Sequence, residues 1–158
     1  ALLLSHDIRA DVRVHVVVDG YVIEFDGSAL RRLNPDERST AALIRDALGT
    51  REEAIGAMAA EASPGVSIRK GTLESTIERF GGATLVELHE DGQPVVELEP
   101  AEDPVFVLSD HREFTDGEAA TLAEAADERV SLGPRALHAD QAITVAHNYL
   151  DTDGFETY

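Results

Sequence analysis

Several clusters in this chain carry side chains able to do chemistry. His138, Asp140, His147 and Asp151 have donors suited to a metal ion. His147 and Asp151 stand four apart and would share one face of a helix. Their spacing matches none of the usual zinc signatures, so no metal is expected. "SHDIRADVRV" groups His6, Asp7 and Arg9. They are suited to an acid that takes or orients a proton beside an Arg that grips a phosphate. They are equally suited to helix capping with a solvated ion pair. "RRLNPDER" concentrates Arg31, Arg32 and Arg38. These either pair with Asp36 and Glu37 or offer guanidinium forks to a nucleic-acid backbone. There is no Cys, no G-x-S-x-G elbow, no Walker loop and no G-x-G-x-x-G.

Two further stretches, "VFVLSDHREF" and "VSLGPRALHAD", each follow an apolar run of strand length. Ligands of open parallel sheets bind beyond the carboxyl ends of the strands, where these loops would lie together. Alternatively they are ordinary connections, with Ser109, Asp110 and Thr115 as caps and Gly133-Pro134 as a turn.

The elements that must position these groups are legible to different degrees. "VRVHVVVDGYVIEFDG" predicts a hairpin turned at Asp19-Gly20. "NPDERSTAALIRDAL" predicts a helix with Asn34 as N-cap, Pro35 at its first position, and Ala41, Leu43, Ile44, Ala47 and Leu48 on its buried face. The opening residues look like the last turns of a helix, so part of a natural N-terminus is expected to precede Ala1. Residues 51–61 read as a helix, "GVSIRK" as a strand, "LESTIERF" as a short helix. "ATLVELHEDGQPVVELEP" reads as a second hairpin-like unit turned at Asp91-Gly92. "PVFVLSD" and "RVSLG" read as buried parallel strands, "DGEAATLAEAA" as a helix, and residues 139–151 as the last helix. Alternating strands and helices predict an α/β fold with a mostly parallel sheet.

The chain of 158 residues suits one compact domain, and its 43% hydrophobic content can fill a core. No apolar run approaches the ~18 residues of a membrane span. "ALLLSHDIR" is too short, and lacks the basic flank, for a signal peptide. A cytoplasmic protein is expected. The net charge is −18, from 31 acids against 13 bases, and Lys70 is the only lysine. Because the acids are spread along the whole chain, they favour solubility in a halophilic cytoplasm over a patch for one basic partner.

Taken together, "LSHDIR", "LRRLNPDERS", "VLSDHREFT" and "SLGP…LHADQAIT…HNYLD" resemble the archaeal tRNA pseudouridine-54 N1-methyltransferases, of the SPOUT class of S-adenosyl-L-methionine-dependent enzymes. The matches run over essentially the whole chain, in order. The resemblance implies a single SPOUT domain over residues 1–158 that lacks the family's first strand and helix. It also implies a deep trefoil knot built from the loops at 108–115 and 132–142, a feature no periodicity would suggest.

The resemblance further implies that S-adenosyl-L-methionine lies bent among these loops. Leu108, Leu132 and Leu137 would be its apolar walls. Gly133 would allow close backbone approach, and backbone groups near Leu137, His138 and Ala142 would bond the adenine edge. Methyl transfer to N1 of pseudouridine in tRNA would use Asp7 to accept or orient the N1 proton and Arg9 to hold phosphate or a carbonyl. Arg31, Arg32 and Arg38 would meet the tRNA backbone. A homodimer is implied, and the broad apolar face of the last helix (Ala142, Ile143, Val145, Ala146, Tyr149, Leu150) suits a seam between subunits. The family's "HADH" reads "HADQ" here, with Gln141, and "SIRKGTLES" is a loose match. The alternatives are a related enzyme acting on ribosomal RNA and a non-catalytic acidic binding module.

Overall fold

Asp19 and Gly20 both take left-handed backbone, with φ of 50° and 78°. That is what a two-residue type I′ turn demands. They join β3 (Arg13–Val18) to β4 (Tyr21–Asp26) in an antiparallel ladder that runs from Val18↔Tyr21 to Arg13↔Asp26. The computed structural model describes every residue except Ser5, His6, Pro35, Ala57 and His111, and the side chain of Leu4. The expectations placed on His6 and on Pro35 as first helical residue fall outside the described residues.

The chain divides into two compact units, Ala1–Thr76 and Ile77–Tyr158. In the first, β3 and β4 extend through β6 (Val66–Lys70) to β5 (Ala60–Ser63), in the order β3-β4-β6-β5, all antiparallel. Helix α1 (Glu37–Gly49) packs Leu43, Ile44, Ala47 and Leu48 on a core containing Ile23, Phe25, Val66 and Ile68. Ile23 and Ile68 are fully buried, and each contributes about 2 kcal/mol of transfer free energy.

Several expectations change in this unit. The opening residues are not a helix end: β1 (Leu3–Leu4) pairs antiparallel with β2 (Asp7–Ile8). The N-cap of α1 is Asp36, not Asn34; its carboxylate accepts the Ser39 backbone N–H at 2.8 Å and the Ser39 hydroxyl at 2.7 Å. Asp outcompetes Asn here because its two oxygens satisfy both Ser39 donors. Among the described residues of 51–61 there is one 3-10 turn (Arg51–Glu53) before β5, because they bury Ala54 and Ala60 and form no continuous apolar stripe. Helix α2 (Leu73–Ile77) is five residues long and gives way to a 3-10 turn.

The second unit holds the parallel sheet, in the order β8-β7-β9. The strands are β7 (Leu85–Pro94), β8 (Val105–Val107) and β9 (Glu128–Ser131). The mixed α/β class stands. Among the described residues the parallel arrangement is confined to these three strands, which helical or long connections separate, as parallel pairing requires. The first unit has such a connection through α1, but its neighbouring strands all pair antiparallel. Strand β8 is an edge and only partly buried, which corrects its assignment as a buried strand; the buried run is Leu85–Leu88 of the central strand. Helix α3 (Asp116–Ala125) starts with a capping box between Thr115 and Glu118. Helix α4 (Ala139–Asp151) buries Ala142, Ala146 and Tyr149. The core joins Val86, Leu88, Val95, Val130, Ala146 and Tyr149.

Asp91-Gly92 is not a hairpin turn. Strand β7 pairs Leu88 with Val130, steps out of register over residues 89–92, and pairs Gln93 with the same Val130. A Cβ on Gly92 would collide with the Val130 carbonyl carbon, and would lie 2.6 Å from Val130 N and 2.7 Å from Ser131 N. The glycine is there for close approach of two parallel strands, not for a positive φ.

Candidate functional site

Beyond the carboxyl ends of β7 and β9 lies an open cleft of about 630 Å³, within the range that holds a cofactor-sized ligand. Each wall has a sequence reason. Strand β9 ends at Ser131, two residues short of Gly133-Pro134, and the loop that follows it supplies Leu132, Gly133, Arg135 and Ala136. Proline has no N–H for a ladder, so the strand cannot continue through it. The out-of-register segment of β7 supplies Glu90 and Asp91, and the turn after it Pro94, Val95 and Val96. Bulges of this kind gather beside active sites because they re-aim side chains. Phe155, from the turn after α4, completes the apolar lining.

The predicted cofactor residues are all in this unit. Leu132 and Gly133 line the cleft. An added Cβ on Gly133 would meet no atom within 4 Å, so the cleft runs directly over its backbone. Leu108 and Leu132 pack on the same buried cluster. Leu137 is 38% exposed. His138 is the N-cap residue of α4; its backbone N–H donates to Gln141 Oε1 at 3.2 Å, and its carbonyl accepts the Ala142 N–H at 2.9 Å. Leu108, Leu137, His138 and Ala142 are not among the residues lining the cleft. Gln141, the departure from the family pattern, therefore closes the first turn of α4. Glu90, Asp91 and Phe155 were missed. Pro94, which cannot donate in a hairpin strand, was the signal that "EDGQP" is not a turn between paired strands.

The predicted catalytic and RNA-facing residues are in the first unit. Asp7 is exposed on β2. The Arg9 side chain, 11% exposed, forms a bidentate pair with Asp11: Nη2 lies 2.8 Å from Oδ2 and Nε 3.4 Å from Oδ1. Gly27 passes so close to the Arg9 carbonyl that a Cβ there would collide with it. Arg31, Arg32 and Arg38 are exposed, and among the described residues none has an ion-pair partner. Asp36, their expected partner, is committed to Ser39, whose hydroxyl and backbone N–H hold its carboxyl below the usual carboxylate range.

Among the described residues, no three His, Asp or Glu side chains converge as a metal site, and no helix is long and apolar enough to cross a membrane. The cleft suits a ligand with an apolar ring system and a positive charge. Leu132, Val95 and Phe155 offer apolar surface, Gly133 an open backbone, and Glu90 and Asp91 two carboxylates.

Residues 1–155 match a family model described as "Putative SAM-dependent RNA methyltransferase". The chain is 68% identical, over its full length and 81% of the relative's, to the tRNA (pseudouridine(54)-N(1))-methyltransferase of Haloferax volcanii. It is 64% identical to the protein of that name from Haloarcula marismortui, with the same coverage. Against that of Methanosarcina acetivorans it is 41% identical over 96% of this chain and 73% of the relative. Among solved structures it is similar to Archaeoglobus fulgidus Nep1 bound to S-adenosylhomocysteine, with a TM-score of 0.61 and 17% identity. That similarity covers 90% of this chain, and the chain spans 64% of the other. At this identity the likeness establishes the fold.

Proposed function

The chain belongs to the family of S-adenosylmethionine-dependent RNA methyltransferases, and on that premise we propose that it methylates N1 of pseudouridine at position 54 of tRNA. The observation that carries this is the 68% identity, along the whole chain, to a relative named for that activity. The family model spans both units, which supports one methyltransferase domain. The fold likeness supports the SPOUT class, with the segments 108–115 and 132–142 as the loops that build its trefoil knot.

When bound, S-adenosyl-L-methionine supplies an electrophilic methyl group on a sulfonium. The chain's own contribution is to bind, orient and move one proton. Leu132 and the open backbone at Gly133 hold the cofactor in the cleft; Leu108, Leu137, His138 and Ala142, which do not line it, are assigned to its surroundings by the family resemblance alone. Asp7 takes or orients the proton that leaves N1; its exposure supports access to a large substrate. Arg9 holds a phosphate or a uracil-like carbonyl, sharing its guanidinium with Asp11. Arg31, Arg32 and Arg38 meet the tRNA backbone, and their exposure without ion-pair partners supports this. The target base must leave its stack to be reached. Positioning supplies much of the acceleration.

A charge of −18 opposes RNA binding at ordinary salt. In about 1 M salt the screening length falls to ~3 Å, so binding rests on stacking and short-range hydrogen bonds. The similarity to proteins of Haloferax and Haloarcula supports such a cytoplasm. The protein works as a homodimer. The partial exposure of Ile143 and Val145 on α4 supports a seam there.

The test is direct. The chain is incubated in high salt with S-adenosyl-L-methionine and a tRNA carrying pseudouridine at position 54, and the digested RNA is weighed by mass spectrometry. N1-methylpseudouridine at that position is expected. An unmodified tRNA, or methylation elsewhere, would overturn the assignment.

A further inference from the structure

Among the described residues of the second unit, the turn after α4 has the most demanding backbone. Asp153, Gly154 and Phe155 follow one another with left-handed φ of 50°, 74° and 69°. Non-glycine residues hold such conformations only where the surroundings over-determine them, and such strain gathers at ligand clamps. Thr152, 7% exposed, provides the constraint. Its hydroxyl donates to the Asn148 carbonyl at 2.6 Å and accepts the Phe155 N–H at 3.1 Å. Its carbonyl accepts the N–H groups of Glu156 and Thr157, while Gly154 N–H donates to the Tyr149 carbonyl at 2.9 Å.

This turn fixes the Phe155 ring edge-to-face on Tyr149, with centroids 5.4 Å apart and planes at 64°. Tyr149 is itself held by its hydroxyl, which donates to the Leu98 carbonyl at 2.7 Å. The ring so fixed lines the cleft with Glu90 and Asp91, and Arg135 is the one cationic side chain among the described lining residues. A pre-set aromatic ring beside carboxylates is the chemistry that attracts a cation stripped of water.

We propose that Phe155 is a specificity-determining residue, its ring packed against the sulfonium-bearing part of the cofactor, stabilising the charged S-adenosylmethionine more than the neutral S-adenosylhomocysteine. Loss of the charge on methyl transfer then removes that contact and favours release of the spent cofactor. This rests on the cleft being the cofactor site.

Titration calorimetry of both ligands with the full chain and its Phe155→Leu variant tests it. Leu keeps the apolar bulk and removes the ring. S-adenosylmethionine is expected to bind about fivefold more weakly to the variant, with S-adenosylhomocysteine changed less than twofold. Equal weakening of both, or of neither, overturns the proposal and leaves the cofactor site intact. An unmodified chain that binds neither ligand overturns the cofactor site and the proposal together. Should the variant fail to fold, a structure of the unmodified chain with S-adenosylmethionine decides the matter. The sulfur is expected within about 6 Å of the Phe155 ring centre, and a greater separation overturns the proposal.

Discussion

The same dipeptide, Asp-Gly, occurs at residues 19–20 and 91–92 and does opposite things. At Asp19-Gly20 the flanking strands carry β-branched residues and pair with each other, and both turn residues adopt positive φ. At Asp91-Gly92 neither residue has positive φ, and the glycine instead lets β7 pass against the backbone of Val130. One glycine is chosen for its dihedral freedom, the other for its missing Cβ. The first makes an antiparallel ladder in a unit that carries the arginine cluster and Asp7. The second opens a bulge that presents Glu90 and Asp91 to the cleft of the second unit.

Gly92→Ala breaks the comparison most severely. Its Cβ can be accommodated only by moving the backbone of β9, so the second unit should lose about 3 kcal/mol and cofactor binding should fall with it. Chemical denaturation and calorimetry check both. A variant as stable as the parent would mean that the close approach is not required.

Asp7→Asn probes the other unit through rate rather than stability. The amide cannot take the N1 proton, so methylation should slow about a hundredfold, while cofactor affinity stays within twofold. Methylation assays beside ligand titration separate the two; an unchanged rate would remove Asp7 as the proton acceptor.

Tyr149→Phe tests the support of the cleft. Loss of the hydrogen bond to the Leu98 carbonyl should cost about 1.5 kcal/mol. Burial first, then the carboxylates of Glu128, Glu99 and Asp153, hold this phenol above its ordinary range. The stability tied to it is therefore complete below about pH 10. It is lost as pH rises through the raised folded-state value, because the unfolded chain ionises first. Alkaline denaturation should show that decline in the parent and not in the variant.

Gly20→Ala is the mildest change. No atom lies within 4 Å of the added Cβ, and only the φ of 78° resists it. The cost should be about 1 kcal/mol. Thermal melts that place Gly20→Ala beside Gly92→Ala give the contrast directly; equal losses would erase it.

The two Asp-Gly pairs also explain what the sequence made legible. The hairpin, α1 and α4 were readable because local signals and hydrophobic period agree there. The bulge in β7 was not, because its cause is the backbone of β9, distant in sequence. Residues 51–61 read as a helix, yet tertiary contact at Ala54 and Ala60 decides their path. The cap of α1 moved from Asn34 to Asp36, a shift of two residues that only the Ser39 hydrogen bonds settle. Of the predicted cofactor residues, Leu132 and Gly133 fall on the cleft, and the Gly-Pro that follows an apolar run was the local signal for that edge of the sheet. That Phe155 also lines the cleft was not legible, because its place depends on three successive left-handed residues that no local propensity predicts.

The central claim is that the carboxyl edge of the parallel sheet in the second unit holds the cofactor. A crystal structure of this chain with S-adenosylhomocysteine tests it most directly. The ligand is expected over Gly133, against Leu132 and beside Glu90 and Asp91. A ligand bound anywhere else, with this cleft unfilled, would contradict the account.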